Sequence, residues 1–289
     1  MITNPNVKIN LGLNILRKRE DGFHDLETLF VPYFGINDKL EILVGDDYSR
    51  TSAAIFGKYA PEMIAQGISE DGSLMITIAR AEGVDWDPLK DLTAKAYFIL
   101  AEDFKLPPVK IFLEKTSPVG AGLGGGSSDA AFALKMLNEL CELGLSEQQL
   151  AGYASRLGSD CAFFIYNRPM IGEGRGELLS EYDLKSIDWQ QDAAGESLYD
   201  LQVLTPEGVA VSTKDAYGGI KPHLPEVALR DALAKPVEEW ADVLVNDFEE
   251  TVFAKHPELA AIKRSLYDSG AVYASMSGSG SALFALYRK

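Results

Sequence analysis

Apolar and polar residues alternate strictly near the start of the chain, from Val7 to Ile15. A period of two places successive side chains on opposite faces of a β-strand, so this segment is predicted to be a strand. One face carries the apolar residues Val7, Ile9, Leu11, Leu13 and Ile15, and the other carries Lys8, Asn10, Gly12 and Asn14. Either the polar face is wetted by solvent, or Lys8 and Asn10 line a site. The alternation leaves both interpretations open.

The pattern of apolar and polar residues predicts both strands and helices along the rest of the chain. Short apolar runs bounded by turn residues predict strands at residues 40–44, 74–78, 109–115, 161–165, 201–205, 271–276 and 282–287. Helical spacing and end signals predict helices at residues 91–103, 147–157 and 237–253. The second of these helices opens with a capping box, in which Gln149 follows Ser146 by three positions.

A glycine-rich segment, residues 118–129, lies between the predicted strand 109–115 and a segment rich in Ala, Leu and Met. Glycine tolerates positive φ and allows a ligand to approach the backbone closely, while Ser and Asp are favourable at a helix N-terminus. Free N–H groups at such a helix start, together with the helix dipole, favour an anion. We therefore predict a phosphate cradle.

Three interpretations of this glycine loop compete. A flexible surface loop is disfavoured, because five glycines in seven residues stand directly before Ser-Ser-Asp and a helix-forming segment. Gly120, Gly122 and Gly125 satisfy the dinucleotide fingerprint, but a second predicted helix follows where that fold needs a strand ending in an acidic residue. The third interpretation is a loop that binds a nucleoside triphosphate. The segment lacks the closing Gly-Lys-Ser/Thr of a Walker A loop, so any lysine that contacts the phosphates must come from elsewhere in the chain.

Composition and charge limit the partners and the cellular compartment that we expect. The 289 residues carry a formal net charge of −16, whereas nucleic-acid binders usually show a basic patch, so we expect no nucleic-acid partner. No apolar run approaches the roughly 18 residues of a membrane span, and residues 1–8 are too polar for a signal peptide. Cys141 and Cys161 cannot form a disulfide framework, so we expect a cytoplasmic protein. The three histidines show no metal-ligand spacing.

Two further segments carry candidate chemistry. Phe23-His24 follows a hairpin-type Asp-Gly turn and could be a core aromatic beside a surface histidine, or could stack on and hydrogen-bond a planar base. Asp160 stands directly before the apolar run 161–165. It either caps a turn or is held facing the glycine loop, and the sequence pattern does not separate these alternatives.

Several motifs in order resemble those of the GHMP kinase superfamily. The glycine loop resembles its phosphate loop, Lys8–Leu11 resembles its first motif and Met276–Gly280 its third. Within the superfamily, the closest resemblance is to the branch that phosphorylates a cytidine diphosphate-linked methylerythritol, carried by Asp21–Phe30, Gly158–Asp160, Gly174–Glu177 and Asn246–Glu249.

The resemblance implies an α+β, two-domain GHMP kinase fold. An N-terminal ATP-binding and catalytic domain, similar to domain 2 of ribosomal protein S5, is expected over residues 1–166. An α+β C-terminal domain is expected over residues 167–289.

The resemblance also implies roles for individual residues. Lys8 and Asp160 match the catalytic pair. ATP contacts are implied for Lys115, Gly120, Gly122, Leu123, Gly124, Gly125, Gly126, Ser127 and Ser128. Substrate contacts are implied for Asn10, Phe23, His24, Thr213 and Tyr217, with His24 reading cytosine between the rings of Phe23 and Tyr217.

The implied reaction belongs to non-mevalonate isoprenoid synthesis. It transfers a phosphoryl group from ATP, with Mg²⁺, to the 2-hydroxyl of the small-molecule substrate. The resemblance names no protein ligand for the metal and no oligomeric state.

The chain departs from the branch in places. Phe23 stands where Tyr is commoner, and Cys-Ala-Phe-Phe follows Asp160 where Val-Pro-Phe-Phe is commoner. Residues 46–72 and 186–199 match poorly, which leaves the adenine pocket undefined. One alternative function is a mevalonate- or homoserine-type kinase, which is disfavoured by the predicted base clamp, namely Phe23, His24 and Tyr217. Another is a nucleotide-binding regulator without turnover, which is disfavoured by the presence of both Lys8 and Asp160.

Overall fold

A computed structural model describes residues 1–45, 49, 51–187 and 198–289, so parts of the poorly matching segments lie outside the described residues. The strands are β1 Ile2–Thr3, β2 Asn6–Lys18, β3 His24–Asn37, β4 Lys39–Val44, β5 Ile64–Ile68, β6 Leu74–Arg80, β7 Val109–Lys115, β8 Met170–Gly174, β9 Leu178–Glu181, β10 Tyr199–Leu204, β11 Tyr273–Met276 and β12 Leu283–Arg288. The α-helices are α1 Ser52–Lys58, α2 Leu92–Ala101, α3 Gly125–Leu140, α4 Glu147–Leu157, α5 Cys161–Tyr166, α6 Thr213–Gly218, α7 Leu229–Leu233, α8 Trp240–Val243, α9 Phe248–Lys255 and α10 Pro257–Asp268. Short 3₁₀ turns cover Pro61–Met63, Pro88–Lys90 and Val237–Glu239.

The chain divides into two compact units, each assembled from separate segments. Unit 1 comprises Met1–Val7, Ile36–Val119 and Gly125–Asn167, and unit 2 comprises Lys8–Gly35, Gly120–Gly124 and Arg168–Lys289. The glycine loop is therefore divided, since residues 120–124 belong to unit 2 and α3 belongs to unit 1. The predicted domain boundary between residues 166 and 167 stays a prediction.

Unit 1 is built on a five-stranded sheet in the order β1-β4-β7-β6-β5. The β6–β7 pair is parallel and the others are antiparallel, so the connection between β6 and β7 crosses over and carries α2. Helix α3 packs against α2, α4 and α5. Its buried residues include Ala130, Ala131, Leu134 and Leu137, and these small and branched side chains allow the helices to approach closely.

Unit 2 contains two sheets. A four-stranded sheet has the order β2-β3-β8-β9, with the first residues of β2 and the last of β3 belonging to unit 1. A three-stranded sheet has the order β10-β12-β11. The predicted strands at residues 271–276 and 282–287 are confirmed as β11 and β12, an antiparallel pair joined by a glycine-serine turn at residues 277–281.

The predicted strand at residues 161–165 is wrong, because these residues form helix α5. Cys161 to Ile165 are all buried, and α5 packs against α3 and α4. A short apolar run that is buried on every side has no polar face, so its period cannot distinguish a strand from a helix.

The predicted continuous helix at residues 237–253 is also wrong. Helix α8 ends at Val243 and α9 begins at Phe248. Between them the backbone pairs with β2: Leu13 N–H donates to Val245 O at 2.8 Å, and Asp247 N–H donates to Leu13 O at 2.9 Å. Hydrogen bonding to a neighbouring strand thus interrupts the helix, which local periodicity could not reveal.

The predicted strands β2 and β7 and the α4 capping box are confirmed. Ser212 caps helix α6, since its side chain accepts from the backbone N–H of Asp215. The α+β class is confirmed as well. In the part of the chain that the structure describes, no helix has both the length and the apolar character needed to cross a membrane.

Candidate active site

The polar face of β2 is buried, which excludes the interpretation that solvent wets it. Lys8 is 2% exposed and Asn10 is 2% exposed. The Lys8 ammonium donates to Asn10 Oδ1 at 2.5 Å and to Gly122 O at 2.8 Å, and lies 5.6 Å from the centre of the Phe30 ring. A buried ammonium must be paired or hydrogen-bonded, so this face of β2 is a structured polar site and not a wetted surface.

Asn10 is fixed by partners from three segments of unit 2. Its Nδ2 donates to Thr28 Oγ1 at 3.1 Å, and the Thr28 hydroxyl donates to Gly12 O at 2.5 Å. The Asn10 backbone N–H donates to Ser277 Oγ at 3.3 Å. Sequence reasoning missed Thr28, although its position among the apolar residues of β3 is the signal of a buried polar partner.

Gly122 lies in the closest backbone contact of the loop. Its φ is +76°, and a Cβ at this position would lie 2.1 Å from Ser277 O. Ser277 Oγ donates to Gly122 O at 3.0 Å, so that carbonyl accepts from both Ser277 and Lys8. Only glycine fits here, and the loop segment 120–124 is thereby joined to β2 and to the glycine-serine turn.

Asn246 holds the glycine-serine turn from its other side. It is 3% exposed, and its Nδ2 donates to Met276 O at 2.7 Å and to Gly278 O at 2.9 Å. Its Oδ1 accepts the backbone N–H of Phe248 at 3.0 Å. The sequence contains the motif at residues 246–249, but nothing in the pattern shows that its asparagine reaches a turn 30 positions away.

In unit 1, helix α3 begins at Gly125 and not at the expected capping residues. Gly125 is buried, and a Cβ there would lie 2.4 Å from Ser117 Oγ. Gly126 is exposed, and a Cβ there would meet none of the described residues within 4 Å. Ser128 lies inside the first turn, fully buried, and its Oγ has no hydrogen-bond partner among the described residues. Ligand access to this helix start is therefore open at Gly126.

Lys115 lies in a buried ionic cluster together with Asp38, Asp129 and Ser117. Its ammonium contacts Asp38 Oδ2 and Asp129 Oδ2, each at 2.5 Å, with side-chain exposures of 4% for the lysine and 1% for each acid. Asp38 also accepts the backbone N–H groups of Thr116 and Ser117 at 2.6 and 2.7 Å. The cluster fastens the end of β7 to the first turn of α3, and the ATP contact implied for Lys115 stays a prediction.

The charges in this cluster perturb one another. Burial alone would lower the pKa of the Lys115 ammonium, but the carboxylates of Asp129 and Asp38 outweigh it and hold that pKa above its ordinary value. Burial raises the pKa of Asp129 well above its ordinary value, and Asp38 raises it further against the opposing effect of Lys115. One ammonium therefore neutralises only part of two buried carboxylates.

Asp160 belongs to unit 1 and directly precedes α5, with helical backbone angles and a half-buried side chain. The preceding Gly158 has extended φ and ends α4. Asp160 thus lies in the short link between two helices that pack against α3. Its catalytic role, like that of Lys8, stays a prediction.

The predicted base-binding residues of unit 2 include a direct aromatic contact. The rings of His24 and Tyr217 are stacked, with centres 4.9 Å apart and planes inclined by 22°. Phe248 packs edge-on against Tyr217 at 4.8 Å. Thr213 Oγ1 lies 3.1 Å from Ser279 Oγ of the glycine-serine turn. The interpretation of Phe23-His24 as a core aromatic beside a surface histidine does not fit, since His24 is partly buried and Phe23 is 54% exposed.

Burial lowers the pKa of His24, and the nearby Lys18 charge lowers it further. The imidazole is therefore neutral at pH 7, with one nitrogen that donates and one that accepts. A neutral ring of this kind can hydrogen-bond a nucleobase edge that presents both a donor and an acceptor. Because His24 lies beside Tyr217, an aromatic ring on which a base could stack and an imidazole that could hydrogen-bond the base edge occur together.

Comparison with known proteins identifies the family. The family model of the GHMP kinases N terminal domain matches residues 91–168, and that of the GHMP kinases C terminal domain matches residues 228–289. Relatives from Bacteroides fragilis and Bacteroides thetaiotaomicron, both named 4-diphosphocytidyl-2-C-methyl-D-erythritol kinase, are 44% and 45% identical over 287 residues. Each alignment covers 99% of this chain and 92% of the relative.

Solved structures of related kinases match the fold of this chain. A crystal structure of 4-(cytidine 5′-diphospho)-2C-methyl-D-erythritol kinase matches with a TM-score of 0.73 and 28% identity, covering 99% of this chain and 90% of that one. A homoserine kinase from Cytophaga hutchinsonii matches with a TM-score of 0.62 at 16% identity, covering 99% and 86% of the two chains, which shows the shared fold alone. The chain belongs to the 4-diphosphocytidyl-2-C-methyl-D-erythritol kinase family of the GHMP kinases.

Proposed function

We propose that this protein is an ATP-dependent kinase that phosphorylates the 2-hydroxyl of 4-diphosphocytidyl-2-C-methyl-D-erythritol. The observation that carries the proposal is the hydrogen bond from Lys8 Nζ to Gly122 O at 2.8 Å. The glycine loop has no lysine of its own, and β2 supplies one from outside it. A cation held at a phosphate loop is what phosphoryl transfer requires, because catalysis of that reaction is mostly positioning and charge stabilisation.

Lys8 and Asp160 would have different tasks in this reaction. Lys8, oriented by Asn10 and the loop carbonyl, would stabilise negative charge on the transferring phosphoryl group. Asp160 would accept the proton of the attacking hydroxyl, a contribution that typically amounts to about 10²–10⁴ in rate. Asn10 fixes the direction of the ammonium, since its Nδ2 and its backbone N–H are both engaged.

The backbone of the glycine loop and the start of α3 would hold the ATP phosphates. A Cβ at Gly120 or at Gly126 would meet none of the described residues within 4 Å, so the main chain is accessible at both positions. The dipole of α3 favours an anion at its N-terminus.

The proposal includes Mg²⁺, which when bound would neutralise charge on the β- and γ-phosphates. Among the described residues, no group of three or more His, Cys, Asp or Glu side chains could hold a metal ion. Mg²⁺ in kinases is usually held by substrate phosphates with one or two carboxylates, so it would enter the site with the nucleotide.

Phe23, His24 and Tyr217 would recognise the cytosine of the substrate. Stacking of a base on an aromatic side chain contributes about 1–3 kcal/mol and tolerates any base, so the rings would supply affinity. The neutral His24 would supply selectivity by hydrogen bonding to the base edge. A mevalonate- or homoserine-type substrate has no base for these side chains to bind.

The test of the catalytic assignment is Asp160→Asn, with steady-state release of ADP as the readout. We expect kcat to fall by at least about 10²-fold with little change in KM, because a general base acts mainly in the transition state. Asp103→Asn, at an exposed position of the same unit, is the matched control and is expected to retain wild-type kcat. An Asp160→Asn enzyme with kcat within a few-fold of wild type would contradict the assignment.

A further inference from the structure

The arginine of the motif at residues 174–177 contacts a predicted substrate residue. The guanidinium carbon of Arg175 lies 5.0 Å from the centre of the Phe23 ring. This is within the range of a cation–π interaction. Both residues belong to unit 2, and Arg175 lies in the turn that joins β8 to β9.

The turn is built to present this arginine. Gly174 and Gly176 have φ values of +68° and +102°, which glycine adopts without strain. Glu177 Oε2 accepts the Arg175 backbone N–H at 2.5 Å, and its Oε1 lies 3.4 Å from Arg175 Nε. The β3–β8 register pairs Leu26 with Gly174, which places the turn beside the first residues of β3.

The contact with Arg175 can orient the Phe23 ring. The side chain is 54% exposed and, unlike the tyrosine commoner in this branch, carries no hydroxyl that could hydrogen-bond. Its backbone N–H donates to Asp21 Oδ1 at 3.1 Å, a contact that holds the main chain and does not involve the ring. A planar guanidinium can lie against one face of an aromatic ring and still hydrogen-bond at its edge, as Arg175 does with Glu177.

We propose that Arg175 is a positioning residue for substrate recognition, covering one face of the Phe23 ring so that the opposite face receives the cytosine. The inference rests on the proposed function. It gives a three-layer stack of guanidinium, Phe23 and base. It also assigns a role to the motif at residues 174–177, where Glu177 orients the arginine and the glycines shape the turn.

The expected effect lies in substrate affinity. An exposed cation–π contact contributes about 0.5–1 kcal/mol, so Arg175→Gln is expected to raise KM for the cytidine substrate about two- to five-fold. KM for ATP and kcat should not change. Arg175→Lys, which keeps the charge but loses the planar group, should fall between wild type and Arg175→Gln. Arg230→Gln removes an exposed arginine of unit 2 that donates to Ser180 Oγ, and it is the control for loss of an arginine elsewhere in that unit.

A double-mutant cycle with Phe23→Leu tests the route of the effect. If Arg175 acts through the ring, Arg175→Gln will raise KM in the wild-type background and leave it unchanged in the Phe23→Leu background. An equal increase in both backgrounds, or no increase in either, would overturn the positioning role. Thermal unfolding of each variant controls for folding, and this substitution of a half-buried surface residue is expected to leave Tm within about 1 °C of wild type.

The failure of this inference is distinguishable from failure of the proposed function. A wild-type enzyme that releases no ADP with the cytidine substrate would overturn both. An active wild-type enzyme whose KM is indifferent to Arg175→Gln would overturn only the role of Arg175.

Discussion

Removal of the Lys115 ammonium tests the ionic cluster at the end of β7. Lys115→Met keeps the length and apolar stem of the side chain but leaves Asp38 and Asp129 without their shared cation. Both carboxylates are 1% exposed, so water cannot replace the ammonium without local opening. Breaking a buried ion pair by removing one partner typically costs about 3–5 kcal/mol.

A matched control lies in the same unit. The Lys58 ammonium contacts Glu114 Oε1 at 2.5 Å, the same distance as in the cluster, but the lysine side chain is 61% exposed. An exposed pair contributes about 0–1 kcal/mol. At roughly 2–4 °C of Tm per kcal/mol for a chain of this size class, we expect Lys115→Met to lower Tm on the order of 10 °C, and Lys58→Met by no more than about 4 °C.

The pH dependence of the Lys115→Met deficit supplies a second readout. Burial already raises the pKa of Asp129, and loss of the ammonium raises it further. A carboxyl whose folded pKa exceeds its unfolded value stabilises the protein below the unfolded pKa and loses that contribution as pH rises through the folded pKa. The variant should therefore lose more stability relative to wild type at pH 8 than at pH 5.5, measured by thermal unfolding. Equal losses for Lys115→Met and Lys58→Met, at either pH, would refute the reasoning.

Two further predictions concern the loop and the base reader. Gly122→Ala should lower both Tm and kcat/KM for ATP more than Gly120→Ala, because both glycines have φ above +70° but only a Cβ at 122 would lie 2.1 Å from Ser277 O. Both variants bear the cost of a positive φ, so the difference in stability between them, about 1–3 kcal/mol for overpacking, measures the contact with Ser277 alone. Equal Tm and kcat/KM in the two variants would show that this contact is not tight. KM for the cytidine substrate should rise as pH falls below the lowered pKa of His24, because protonation removes its acceptor nitrogen. A His24→Gln enzyme whose KM keeps the same pH profile would assign that dependence to another group.

Strand β2 shows which features the alternation of apolar and polar residues can predict and which it cannot. Alternation predicts the strand and assigns Lys8 and Asn10 to one face, and both are correct. It does not show what covers that face, because the partners Gly122 and Ser277 lie 114 and 267 positions away from the residues they contact. The same polar stripe would be compatible with a solvent-exposed edge.

Buried charge pairs are a second limit. Lys115 meets Asp38 across 77 positions and Asp129 across 14. Neither acid belongs to a pattern that distinguishes it from a surface residue, since Asp38 follows a strand and Asp129 looks like part of a helix cap. The helix instead begins at Gly125, and the Asp129 carboxylate binds the lysine of the adjacent strand.

The base clamp combines local and distant information. Phe23-His24 stands out locally, as an aromatic beside a titratable group after a turn. Its partners Tyr217 and Arg175 could not be found from spacing, since they are brought to it by α6 and by the β8–β9 turn. The resemblance to the GHMP kinases supplied Tyr217 and gave Arg175 no role.

The most direct test of the proposed activity is coupled ADP release from the wild-type enzyme with three alcohols at equal concentration. These are 4-diphosphocytidyl-2-C-methyl-D-erythritol, mevalonate and homoserine, each with ATP and Mg²⁺. We expect ADP release that depends on the cytidine substrate, with the other two at the background rate of ATP hydrolysis. Two results would contradict the proposed activity: ADP release with mevalonate or homoserine at a comparable kcat/KM, or no ADP release with any of the three alcohols.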